Sequence, residues 1–457
     1  MGAVPPKRAP CPDTMREDDV RRTRWADRTD GGRGRAPRPG GFCSDPRFRR
    51  VGAVLTSLSA LIGTSLVAGP VAVAATADSC ALERTGTHHS EGLDTWHPDY
   101  PRPDRTLDAL MVFLSFPESR PATTPDRLVA DYFPETSEFF ERASYGTFTL
   151  RPRPVARWLE MGADSRAYGI QRDWAPDLRA AYLQDAVTAA DPHVDFGAYD
   201  IVYLVADPDA PGVNSDATKV VNLDRPITVD GTELRRVVTV FEKHPPDRNV
   251  LAHETLHLFD LPDLYHQPEE NDGDWDTHVG DWDLMGSQFG LAPEPFGWHK
   301  WKLGWLDGRA IDCRVETGAT RHALRAVSAP RRDGDLPGTS DTRLIVVRTG
   351  RGEVLAIEAR EPSGNDVTTC SSGVLVYRVR NDVASAEGPI RVLDAHPDSD
   401  ACGGLSVYPP LADAPLGPGE SMEVDADGSR VRVAVGDRTA TGWSVEVSVR
   451  GVPGASP

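Results

Sequence analysis

The stretch NVLAHETLHLFDLPDLY, residues 249–265, decides how this chain reads. Asn249 is a residue type that caps helices, and the largely apolar run behind it predicts a helix. On that helix His253 and His257 stand one turn apart and share a face. Two imidazoles so placed can bind one zinc ion. Glu254, next to the first, can take a proton from a water activated there and pass it on. A catalytic zinc needs a third protein ligand and one open position. Leu261-Pro262 ends the helix, because proline cannot continue it, and lets the chain turn back towards the ion. Asp263 then falls ten residues after His253 and is the preferred third ligand. His266, Glu269 and His278 are the alternatives. The HExxH pentapeptide alone is a weak signal, since a histidine pair on a partly apolar helix is often structural.

Working outward, LDALMVFLSF (107–116) is an unbroken apolar run closed by Pro117, which predicts a buried strand. Residues 125–145 carry helical spacing interrupted near Pro134, with Thr136 or Ser137 as the cap of the second piece. Thr147–Val155 alternates like a strand, Ala175–Ala190 has helical spacing, and Ile201–Ala206 reads as a second buried strand. Strands alternating with helices over residues 78–310 predict an α/β or α+β domain, with α+β the preferred class. Beyond about residue 310 the pattern changes. RLIVVRT, EVLAIEAR, GVLVYRVR, RVRVAV and WSVEVSVR follow one another between Gly, Pro, Asp and Ser, as in a β-sandwich-like domain over 311–457.

HETLHLFDLPDLY together with GDWDLMGS (280–287) resembles the immune inhibitor A-type peptidases, a metzincin-like zinc family. SYGTFTL (144–150) and WHKWKLGWL (298–306) also look like landmarks of that family, so the resemblance spans roughly residues 107–310 and extends loosely into the tail. It implies a metzincin-like catalytic domain in which a methionine turn, here Met285, packs beneath the ligands. It also implies a zinc-dependent endopeptidase acting on proteins or peptides, with His253, His257 and Asp263 as ligands and Glu254 as general base. Tyr265 is a candidate to assist the oxyanion, with packing as its plainer role. One departure stands out: Asp260 occupies the family's turn glycine, where a left-handed backbone is expected. The alternative function is a secreted binding or adhesion protein built on a catalytically inactive zinc-peptidase fold.

Charge and composition bound the rest. Residues 1–77 carry 13 Lys and Arg against 7 Asp and Glu, whereas the whole chain has a net charge of −19. The body is therefore strongly acidic, which argues against a nucleic-acid partner. Within 1–77, a basic, Pro- and Gly-rich leader ends at Arg49-Arg50. A chargeless apolar run from Val51 to Ala77 follows and closes on Ala75-Thr76-Ala77, the pattern of a secretory signal, with a membrane-spanning anchor as the alternative for a run of this length. The expectation is a secreted, extracellular protein with no stable membrane association once the signal is cleaved. Residues 78–105 read as an extended lead-in or a short pro-segment. After the leader four cysteines remain, Cys80, Cys313, Cys370 and Cys402, which predicts two disulfides, with Cys370–Cys402 the favoured pair. A free Cys80 blocking the metal is the minor alternative. The acidic loop Asn271–Asp276 has oxygen donors suited to calcium but lacks an EF-hand's bidentate Glu, so a solvated loop is the plainer reading.

Overall fold

The computed structural model describes residues 76–451 apart from 269–272, 332–340, 427 and 441. The basic leader, nearly all of the signal segment and Cys11 and Cys43 lie outside the described residues, as do Glu269 and the Asn271-Asp272 part of the acidic loop. The described residues form a mixed α/β arrangement of three sheets and a few helices.

The first sheet contains β1 (Thr106–Ser115), β2 (Thr149–Glu160), β3 (Ile201–Ala206), β4 (Lys219–Val229) and β5 (Thr232–Val240) in the order β2-β1-β3-β5-β4. All neighbours are parallel except β4, which pairs antiparallel with β5. The unbroken apolar run of β1 follows from burial on both faces. Leu107, Ala109, Met111 and Phe113 enter one core, and Leu110, Val112 and Leu114 enter the other. Helices α1 (Pro125–Tyr132) and α2 (Glu135–Ala143) pack on the first of these faces and α3 (Pro176–Ala190) on the second.

Three local features differ from the expectation. The cap of α2 is Pro134 itself, while the Thr136 hydroxyl donates to the Tyr132 carbonyl and Ser137 to that of Leu150. β2 runs on to Glu160. The β4–β5 hairpin was not anticipated, although Asp230-Gly231 between its strands carries the signal. Both residues adopt positive φ (47° and 81°), the backbone a two-residue hairpin turn requires.

The change of pattern near residue 310 is a change of sheet. β6 (Ile311–Arg314) and β7 (Gly318–Leu324) are followed by β8 (Leu344–Arg348), β9 (Glu353–Arg360), β10 (Gly373–Arg380) and β11 (Ile390–Leu393). After these come β12 (Ser421–Ala426), β13 (Ser429–Thr439) and β14 (Gly442–Gly451). They make a sheet ordered β11-β10-β9-β8-β6 and another ordered β12-β13-β14-β7. Alternate residues of the middle sheet divide between two cores. Ile345, Val347, Leu355 and Ile357 meet Val433, Val445 and Val447 of the last sheet, whereas Leu344, Val346, Ala356, Leu375 and Tyr377 join the core that holds the 249–265 segment. That shared core rigidly ties the tail to the candidate site.

Cys80 bonds Cys313, and Cys370 bonds Cys402. Cys80 is therefore not a free thiol, which removes the blocking role considered above. No helix among the described residues is long and apolar enough to cross a membrane.

Candidate metal centre

Helix α4 (Val250–His257) is buried along its whole length. Asn249 does not cap it through its side chain: its backbone is left-handed (φ 59°), and its amide donates instead to the Gln288 carbonyl. Two features aim the histidines. His253 Nδ1 lies 2.9 Å from the Leu284 carbonyl, and His257 Nδ1 lies 2.8 Å from that of Leu261. A carbonyl can only accept, so both Nδ1 atoms carry a proton and both Nε2 atoms face the same space. Asp263 Oδ1 fills the third corner, 3.3 Å from His253 Nε2 and 3.1 Å from His257 Nε2.

The turn between helix and third corner is sharp. Asp260 sits at φ 65°, in the left-handed region expected of it, and Leu261-Pro262 carries the chain back. Ser385 then fixes Asp263, accepting from its backbone N–H at 2.8 Å and donating to Oδ2 at 3.1 Å. These three side chains form a group with ligand atoms close enough to share one ion. His266 and His278 are not part of it; they face each other, with ring centroids 5.0 Å apart. In the acidic loop, Asp276 lines the cleft, and its burial raises the carboxyl to about 6. No calcium-like grouping involves that loop among the described residues.

The electrostatics favour a cation. Burial opposes a charged His257, yet Asp263 outweighs it and lifts the imidazole to about 9. Burial likewise opposes ionisation of Asp263, but the two histidines hold its carboxyl well below the usual range. The donor set fits zinc: two neutral imidazoles and one carboxylate are an ordinary catalytic set. A tetrahedron with bonds of about 2.0–2.1 Å has edges of about 3.3 Å, which matches the two separations found.

Glu254 lies beside the group, with Oε2 accepting 2.7 Å from the backbone N–H of Val220 on β4. Burial pushes its carboxyl above the ordinary value, partly offset by the two histidines. Glu254, the three candidate ligands and Tyr265 all line one open cleft of about 610 Å³. Burial and the nearby Asp263 and Glu254 carboxylates push the Tyr265 phenol up, so it remains an O–H donor.

The GDWDLMGS segment supports this geometry from below. Met285 is fully buried. The Leu284 carbonyl holds His253, and the next carbonyl, of Met285, accepts from the backbone of Leu264 at 2.9 Å. Asp283 shapes the turn by accepting from Met285 N at 2.7 Å and Phe296 N at 2.7 Å. It also meets His299 Nδ1 at 3.0 Å, and His299 Nε2 meets Glu91 at 3.0 Å. Glu91, Asp283 and His299 are all sealed from solvent. Sequence reasoning passed over these three and Ser385, because they lie up to 208 residues from the partners they meet and follow no local spacing. Trp282, Trp298 and Trp305 are buried core, each with its indole N–H on a backbone carbonyl.

No protein-family model matches this chain, and no curated protein matches it.

Proposed function

We propose that this chain is a secreted zinc-dependent endopeptidase of the immune inhibitor A-like, metzincin-like kind. The observation that carries the reading is the convergence of His253 Nε2 and His257 Nε2 on one oxygen of Asp263, at 3.3 and 3.1 Å, with an acidic side chain alongside. Zinc held by these three residues supplies Lewis acidity and lowers the pKa of water towards about 7. Glu254 takes the proton of the attacking water and returns it to the leaving amine. Its raised carboxyl suits both halves of that task. Tyr265 lines the same cleft, which supports its role as a donor to the developing oxyanion. The cleft is open, and one wall is the edge strand β4, along which an extended peptide can lie. Two disulfides and the signal-like leader support an extracellular setting.

The test is metal quantification combined with a casein digest. One zinc per chain and chelator-sensitive cleavage are expected. Glu254→Gln should keep the zinc and lose activity by about 10²- to 10⁴-fold. A Glu254→Gln protein that cleaves at the wild-type rate, or a wild type that holds no zinc, refutes the proposal.

A further inference from the structure

Residues 80–92 pack behind the candidate centre, where they meet Asp260 in the turn between His257 and Asp263 and His299 beside the Asp283 turn. Their own anchoring is covalent at Cys80–Cys313 and polar at Asn381, which donates to the Glu83 carbonyl at 2.7 Å. The Asn381 carbonyl also accepts from the hydroxyls of Thr85 (2.7 Å) and Ser90 (2.9 Å). Thus held, the lead-in makes two separate connections.

The first is to Asp260, three residues after His257 and three before Asp263. Its carboxylate is 1% exposed, an unfavourable place for a charge unless partners surround it. Arg84 Nη2 lies 2.5 Å from one oxygen and His89 Nδ1 3.0 Å from the other. Burial pushes His89 down to about 4, so it serves as a neutral N–H donor, and the charge partners are Arg84 and Lys302, whose Nζ lies 3.9 Å from Oδ2. Lys302 completes the clamp by donating to the carbonyls of Asp260 at 2.5 Å and Ser90 at 2.7 Å. A glycine at position 260 could make the same left-handed turn but would have no carboxylate for the lead-in to hold.

The second connection starts at Glu91. Its carboxylate meets His299, His299 meets Asp283, and Asp283 shapes the turn whose successive carbonyls hold the His253 ring and the backbone beside Asp263. Every side chain in that path is fully buried. Loss of the Glu91 charge leaves His299 with one charged partner in place of two.

From this juxtaposition we infer that the lead-in belongs to the working centre rather than to a removable pro-segment, with Arg84 and Glu91 as positioning residues for the zinc ligands. This rests on the metal reading proposed above. Removing partners in the layer behind metal ligands costs about 10- to 100-fold in metal affinity. Glu91→Gln and Arg84→Gln, made singly in the full chain, test the inference. Zinc affinity is measured by chelator competition, the cobalt-substituted proteins are compared by their visible d–d bands, and folding is checked by near-ultraviolet dichroism. Val433→Ala, in the core between the two tail sheets, is the control for generalised destabilisation.

The expected result is at least a tenfold loss of zinc affinity and displaced cobalt bands in both lead-in variants. The control should lower the melting temperature while leaving zinc affinity and cobalt bands unchanged. Folded lead-in variants with wild-type zinc affinity and cobalt bands overturn this inference alone. A wild type that binds no zinc overturns it together with the proposed function. Arg84 is partly exposed, so Arg84→Gln carries the test if Glu91→Gln does not fold.

Discussion

Raising the pH from 6 to 10 removes the proton that His299 holds between two buried carboxylates, and the cost can be worked from the structure. A histidine in the unfolded chain titrates near its ordinary value of 6.5. In the fold, burial works against the charged ring, but Glu91 and Asp283, each 3.0 Å away, outweigh it and lift the group to about 9. A value raised on folding stabilises fully below the unfolded value and stops doing so as the pH climbs through the folded one. The window therefore runs from about 6.5 to about 9. The gap corresponds to about 3 kcal/mol at about 1.4 kcal/mol per unit of pH. The assay is urea unfolding of metal-free protein at pH 6 and at pH 10, for wild type and His299→Gln. Lysines and tyrosines titrate in both proteins, so the difference between the two reports the group formed by His299, Glu91 and Asp283. Wild type should lose about 3 kcal/mol more than the variant over this interval. Parallel losses, equal within about 1 kcal/mol, would show that His299 carries no extra proton in the fold and would refute the argument.

Two further outcomes follow from the same geometry. In metal-free protein Asp263 keeps a proton on His257 up to about 9, and zinc must displace it. Apparent zinc affinity should therefore rise close to tenfold per pH unit between about 6.5 and 8, with about one proton released per ion in calorimetry across buffers; a flat profile counts against a shared His257–Asp263 site. Removing the Cys80–Cys313 bond with paired serines should cost about 2–4 kcal/mol in non-reducing urea unfolding, because it closes a long loop. An unchanged midpoint would mean that the lead-in is held without its covalent anchor.

Much of the candidate site is written locally. His253, Glu254 and His257 are brought together by helical periodicity alone, and a proline five residues after His257 forces the return that carries Asp263 back. The apolar runs of β1, β3 and β8–β10 declared themselves because burial on two faces leaves no polar alternation, and β13 and β14 because burial on one face produces it. The β4–β5 hairpin was legible in principle from Asp230-Gly231, but its charged outer positions obscured the strands around it.

Tertiary structure alone decided which candidate third donor meets the two histidines. Asp263, His266 and His278 are all chemically able donors near the motif, and only the turn through Asp260 and the bond to Ser385 choose among them. It also decided that Asp260 is a buried anchor rather than a tolerated replacement, since Arg84 lies 176 residues away in sequence. Periodicity reports on neighbours along one element. Charge partners brought together by chain crossing leave no such trace, and the support behind the candidate ligands is made almost entirely of them.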